Sequence, residues 1–195
     1  MHNLVALMPM RHYSDRVKGK NYRPFGNGDP LFFHVLKKLT NCSFIDLVVI
    51  NTDSDLIIDL CAEHFRNVQT IKRPEDLLGE DRSMNEILIH DAKLFQSKYY
   101  LQTHSTNPLI RSKTIEDAVH TFQSNRDTYD SLFTVTKHQT RFWDSATAPV
   151  NHDPQQLLPT QDLPPFFEEN SCLYIFDRET LLEGQNRLGK RPFMY

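Results

Sequence analysis

The sequence predicts an α/β fold in three layers, with a mostly parallel sheet between helices. Three observations lead there. Short apolar or β-branched runs alternate with segments of helical periodicity. Capping residues stand at the front of several of those segments. The 195 residues suit one domain rather than two, long enough to bury roughly 70% of the unfolded surface. Strand–helix alternation of this kind covers a parallel sheet on both faces. Residues 1–195 are therefore read as a single domain.

Leu4 to Met8 reads as a buried first strand. Gly26-Asn27-Gly28-Asp29 has the chemistry of a turn, and no ligand role is assigned to it. Pro30 opens a helix carrying Phe32, Phe33, Val35, Leu36 and Leu39. Ile45 to Ile50 reads as a second buried strand. Asp53 or Ser54 caps the next helix, with Leu56, Ile57, Leu60 and Cys61 on one face. Val68 to Ile71 is a short strand. Ser83-Met84-Asn85-Glu86 is a capping box, and the helix behind it buries Ile87, Leu88, Ala92 and Phe95. Tyr99 to Gln102 is a strand, Thr114 to Phe122 a helix and Leu132 to Val135 a strand. Leu173 to Phe176 is another strand, followed by a short helix from Asp177. Right-handed crossovers put the loops after parallel strands along one edge, so chemistry is expected after Met8, Ile50, Ile71 and Gln102.

One segment breaks the alternation. From Lys137 to Pro165 the chain is polar and carries Pro149, Pro154, Pro159, Pro164 and Pro165. It reads either as a surface loop or as an excursion that forms its own hairpin or packs on another subunit. The second reading is favoured, because Phe142, Trp143, Leu157, Leu158, Phe166 and Phe167 need burial.

Composition excludes several function classes. The formal net charge is −3, so no basic excess advertises a nucleic-acid surface. Hydrophobic residues at 39% and aromatics at 11% argue for a packed core rather than disorder. Cys42, Cys61 and Cys172 are widely spaced with no CxxC pair, which points to a reducing, cytoplasmic setting. No basic leader or bilayer-length apolar run is read at the start of the chain, and no membrane partner is expected.

The strongest local signal is the stretch from Met10 to Asn21, which carries Arg11, Arg16, Lys18 and Lys20 directly after the first strand. Cations at the carboxyl end of a parallel strand fit a polyphosphate; a solvated basic loop is the plain alternative. The stretch is neither GxxxxGK[ST] nor GxGxxG.

With this loop the chain resembles the acylneuraminate cytidylyltransferase family, which makes CMP-activated nonulosonic acids, with the CMP-Kdo synthetases further off. The matching residues are Arg11, Ser14, Lys20 and Asn21; then Asn51-Thr52-Asp53; Arg73-Pro74-Glu75-Asp76-Leu77 and the helix capped by Ser83; Thr106-Asn107-Pro108-Leu109; Tyr129-Asp130-Ser131; and Glu169 to Ile175. The resemblance covers essentially the whole chain and implies a nucleotide-diphospho-sugar-transferase-like fold. It implies transfer of CMP from CTP to the anomeric hydroxyl of a sialic-acid-like 2-keto sugar acid, with Mg²⁺ as cofactor. CTP and the sugar acid are the implied partners, and a homodimer is implied through the 137–165 excursion. A Kdo-type nucleotidyltransferase, or a non-catalytic nucleotide-binding protein of the same fold, is the alternative.

By resemblance, Arg11 and Lys20 hold the CTP phosphates and act in catalysis, with Ser14 and Asn21 beside them. Arg73 and Ser83 fall where the family closes over cytidine, although Ser83 is equally a plain helix cap. His104, Asn170 and Tyr174 fall at sugar-facing positions. The residues also allow a hydrogen-bonded loop histidine, a turn asparagine and an ordinary strand aromatic. His104-Ser105 replaces the family's Gln-Pro, and Thr160 stands where the family carries a cation, with Lys137 or Arg141 as candidate substitutes. Both departures bear on the sugar. The metal ligands stay unassigned: the family's paired aspartates would fall after Tyr195, so the chain is expected to continue beyond it in the natural protein or to have lost its metal site.

Overall fold

The computed structural model of the chain describes residues 2–79 and 81–195. Along them run β1 (His2–Leu7), β2 (Pro24–Phe25), β3 (Asp29–Pro30), α1 (Leu31–Thr40), β4 (Leu47–Thr52), α2 (Asp55–His64) and β5 (Val68–Lys72). There follow α3 (Met84–Leu94), β6 (Ser97–Thr103), α4 (Ser112–Ser124), β7 (Ser131–His138), β8 (Phe166–Asp177), α5 (Arg178–Gly184) and β9 (Pro192–Met194). Seven strands form one sheet in the order β5-β4-β1-β6-β8-β7-β9, and β2 and β3 form a separate ribbon. β1 pairs in parallel with β4 and β6, so Val5 lies opposite both Leu47 and Tyr100. β8 alone is reversed, antiparallel to β6 and β7. The expected mostly parallel sheet is present.

Side-chain alternation sorts the helices onto two faces. Leu4, Ala6, Val48, Ile50 and Leu101 pack with apolar residues of α1, α2 and α4. Val5, Leu7, Val49 and Tyr100 pack with α3 and α5. The apolar spacing of α4 (Ile115, Ala118, Val119, Phe122) is the i, i+3, i+4, i+7 stripe of a helix lying on a sheet. Pro30 precedes α1 as expected, and the Gly26–Gly28 turn closes β2 on β3 with both glycines at positive φ.

Two sequence expectations change. On α2, Ser54 is the cap, accepting from the Ile57 amide at 3.3 Å. The buried face is Ile57 and Cys61, while Leu56 stays 44% exposed. One residue turns the helix by about 100°, so Leu56 cannot share the face of Ile57 that meets the sheet. The β7–β8 pair also outgrows its expected ends, reaching His138 opposite Phe166. The connecting loop is correspondingly shorter, residues 139–165. It carries a lone bridge between Trp143 and Pro149 and is pinned by buried Asn151, which donates to the carbonyls of Thr140 and Pro164. Trp143, Leu157, Leu158, Phe166 and Phe167 remain exposed within one chain.

A polar network is buried between β4, β5 and α3. Arg73 donates from Nε to the Asn51 side chain (2.8 Å) and from Nη2 to the Asn51 carbonyl (3.0 Å). The Asn51 amide donates onward to Asp91 at 2.6 Å. Asp91 is fully buried and its Oδ2 has no partner among the described residues. Burial raises the Asp91 carboxyl above the usual carboxylate range, against the opposing pull of Asn51, His90 and Arg73. No helix among the described residues is long and apolar enough to cross a membrane.

Two stability tests follow from this packing. Phe122→Ala should cost about 3–5 kcal/mol in urea unfolding, whereas Leu56→Ala should fall within about 0.5 kcal/mol of the parent. Equal costs would show the α2 face to be misassigned. Asn51→Ala breaks the bridge between two buried charges and should cost about 3 kcal/mol. A loss below about 0.5 kcal/mol would mean that neither charge depends on Asn51.

Candidate functional site

The loops after β1, β5 and β6, with the first turn of α3, enclose a cavity of about 210 Å³. Its wall carries the cations Arg11, Lys20, Arg73 and Arg82, together with Tyr13, Ser14, Asn21, His104, Ser105 and Thr106. Among the described residues, no carboxylate lies on that wall. The cavity thus stands at the carboxyl ends of parallel strands, where open α/β sheets bind ligands. The loop after β4 supports it from behind.

The loop after β1 is held at several points. Its start stays in register with β4, with the Met10 amide on the Asn51 carbonyl at 3.0 Å. The His12 amide donates to Asp53 Oδ1 at 2.6 Å, and His12 Nδ1 meets the Ser54 hydroxyl at 2.6 Å. Gly19 sits at φ +64°, and a Cβ there would come within 2.8 Å of the Tyr22 ring, so the turn into Lys20 admits no side chain. Asn21 is 5% exposed: its amide donates to the Arg11 carbonyl and its oxygen accepts from Ser105, both at 2.6 Å. Asn21 therefore ties the β1 loop to the β6 loop.

Arg73 fills the floor. Besides Asn51 it reaches the Met10 carbonyl from Nη2, at 3.3 Å. Nη1 makes no hydrogen bond among the described residues, on a side chain that lines the cavity. Burial lowers the Arg73 pKa and nearby Arg11 lowers it further, while Asp53 and Asp91 oppose them. An anion in the cavity would relieve that crowding of positive charge.

The far wall rests on a second network. His104 Nε2 lies 3.1 Å from the Gln102 amide nitrogen. Gln102 Oε1 accepts from Arg187 Nη1 at 2.8 Å. The Arg187 guanidinium lies 3.6 Å above the centre of the Tyr174 ring and 3.8 Å from the Glu169 carboxylate. The segment carrying Arg187 is fastened by Asp130, whose carboxylate accepts from the amides of Lys190 and Arg191 at 2.8 and 3.0 Å. A Cβ on Gly189 would overlap that carboxylate, at 2.1 Å from Oδ1.

Of the residues singled out from sequence, Arg11, Ser14, Lys20, Asn21, Arg73 and His104 converge on the cavity wall. Ser83 stands beside it, between Arg82 and Met84, with its hydroxyl accepting from the Glu86 amide at 3.2 Å in the expected capping box. Tyr174 is fully buried in the core with α3 and α5. Its alternate position in β8 faces that layer, and its hydroxyl bonds Glu169 and Ser171, so its reach toward the cavity runs through Arg187. Asn170 stitches the bulge between β7 and β8, accepting from Thr134 Oγ1 at 2.7 Å and donating to Thr136 at 3.2 Å. Arg82, Gln102, Asp91 and Arg187 escaped the sequence reading, and Asn51 entered it only within the matching Asn51-Thr52-Asp53 run, with no role assigned. Arg82 left a signal, since a cation beside a helix start opposes the helix dipole and asks for another purpose.

The expected Mg²⁺ does not fit these residues. Among the described residues no group of three or more His, Cys, Asp or Glu could hold a metal. The described residues of the cavity wall are cationic and include no carboxylate oxygen of the kind Mg²⁺ prefers.

Comparison with known proteins agrees with the family resemblance of the sequence. The cytidylyltransferase family matches residues 5–192. An N-acylneuraminate cytidylyltransferase of Streptococcus agalactiae is 25% identical over 98% of this chain and 47% of its own length. The chain thus spans about half the length of such relatives. Post-translational flagellin modification protein B of Campylobacter coli is 24% identical over all of this chain and 86% of its own. Among solved structures, a CMP:2-keto-3-deoxy-manno-octonic acid synthetase complexed with CTP superposes with a TM-score of 0.71, at 13% identity, over 93% of this chain and 77% of its own. That likeness extends the agreement to the fold. With the match running nearly end to end, the chain belongs to the cytidylyltransferase family.

Proposed function

We propose that the chain transfers CMP from CTP to the anomeric hydroxyl of a nonulosonic, sialic-acid-like 2-keto sugar acid. The sugar oxygen bonds to the α-phosphorus, the bond to the bridging oxygen breaks, pyrophosphate leaves, and the hydroxyl proton passes to water. The observation that carries the reading is the set of four cations, Arg11, Lys20, Arg73 and Arg82, on one wall at the strand ends, in a chain of this family. Arg11 and Lys20 hold the phosphates and offset the charge that develops on the leaving pyrophosphate. Ser14 contributes a hydroxyl beside them, and Asn21 keeps the loop in place. Arg73 offers Nη1 from the floor, and the turn at Ser83 closes over the base. His104 faces the sugar, with Asn170 and Tyr174 supporting that side through β8. The relatives named for N-acylneuraminate transfer support the substrate class.

Because the described residues of the wall include no carboxylate to hold a metal, no step here is assigned to Mg²⁺. A homodimer formed through residues 139–165 would cover Trp143 and Phe167, which one chain leaves 53% and 45% exposed. A cytoplasmic setting supplies the CTP.

Pyrophosphate release from CTP, measured across a panel of nonulosonic acids and Kdo, tests the reaction. Turnover with a nonulosonic acid is expected; turnover with Kdo alone would move the assignment to the Kdo type, and none with any acid would refute it. Arg11→Ala should keep the fold and lower kcat by about a hundredfold, the usual loss for one phosphate- or oxyanion-directed donor. Turnover near the parent level would remove Arg11 from the mechanism.

Sedimentation should show a dimer at micromolar concentration, with Trp143, the single tryptophan, shielded from quencher. A monomer with a freely quenched Trp143 would refute the dimer.

A further inference from the structure

The amide of Gln102 has one orientation that satisfies its neighbours. Arg187 Nη1 only donates, so the atom it meets at 2.8 Å is the amide oxygen. The other end is then the NH₂ group, which donates to the Thr103 carbonyl and to His104 Nε2, both at 3.1 Å. A ring nitrogen that accepts carries no hydrogen, so the neutral imidazole bears its proton on Nδ1. That N–H has no acceptor among the described residues, and the ring lines the cavity. A second proton would set two N–H groups against each other at Nε2.

We propose that Gln102 and Arg187 are positioning residues that fix His104 as an uncharged Nδ1–H donor to a neutral oxygen of the sugar, a hydroxyl or an acyl carbonyl. The proposal rests on the sugar-acid transfer argued above. Arg187 is well placed for the role, clamped over Tyr174 and beside Glu169. The charged groups that bear on His104 are Arg187, from the segment after α5, and Lys20, from the loop after β1. With burial as the largest cause, they push its pKa down from 6.5 to about 4. The folded value lies below the unfolded one, so this group draws stability from the fold as pH falls from 6.5 toward about 4, and has no such effect above. His104 is thereby unsuited to serve as a general base near neutrality, and suited to hold a substrate group without changing charge.

Long-range ¹H–¹⁵N NMR of the histidine-labelled full chain, without substrate, reads the tautomer directly. His104 should appear as the Nδ1–H form with no titration above about pH 5, and Arg187→Met should release it to a mixture whose midpoint moves toward about 6.5. The same variant should raise KM for the sugar acid about tenfold, the worth of one hydrogen bond, and leave KM for CTP within about twofold. His104→Asn keeps an N–H donor at the Nδ1 position and should preserve KM for the sugar acid, whereas His104→Phe should not. An Nε2–H form in the parent, titration near 6.5, or a tautomer unmoved by Arg187→Met would overturn the relay. A fixed tautomer in a parent that turns over no sugar acid would instead overturn the transfer reading, and with it the role toward sugar.

Discussion

A buried guanidinium needs acceptors, and those that answer Arg73 come from the end of β4 and from the loop after β1. Nε and Nη2 take the Asn51 side chain, the Asn51 carbonyl and the Met10 carbonyl. Asn51 cannot serve both Arg73 and Asp91 unless its amide points one way, oxygen to the cation and nitrogen to the carboxylate. The charge of Arg73 is thus balanced by Asp53 and by Asp91 of α3, and neither acid lines the cavity. That separation leaves the cations of the described wall facing the cavity without either acid among them. An acid beside Arg73 in the cavity would answer the guanidinium more directly, but it would also repel the phosphates the site is proposed to bind.

The parts of this fold that follow local rules were legible in the sequence. Periodicity located the first strand and α4, and the Ser83–Glu86 box and Pro30 marked their helices. What exceeded those rules was longer-range. β8 outran its apolar run because Phe166 to Glu169 find partners on β7, and a ladder is built by pairing as much as by hydrophobicity. Leu56 looked equivalent to Ile57 because both are apolar, yet only the angle of α2 against the sheet separates them. At the site, the residues of the first loop carried their own signal, since cations after a strand have few other uses. Arg187 carried none. It lies in a segment without periodicity, 85 residues from the Gln102 it bonds, and its value arises from Tyr174, which the sequence shows only as one more strand aromatic.

The segment holding Arg187 has no regular structure to fix it, and it is held instead by side chains: Asn85 accepts from the Arg187 amide at 3.1 Å, and the Asp130 carboxylate fits against the bare Cα of Gly189. Asp130 comes from the start of β7, and the two backbone amides it accepts stand just before β9, which pairs in parallel with β7. The register of the sheet edge is in this way transmitted to Arg187, and through Gln102 to His104 at the cavity.

β1 is first in the chain yet has a neighbour on either side in the sheet. Its partners lie near residues 47 and 100, so β1 is synthesised before the strands that pair with its two edges. At ordinary rates of synthesis, about 5–20 residues per second, it waits several seconds for β6. During that interval β4 can pair with one edge of β1, but the edge meant for β6 stays open, and there a chaperone or an unwanted neighbouring strand could engage it.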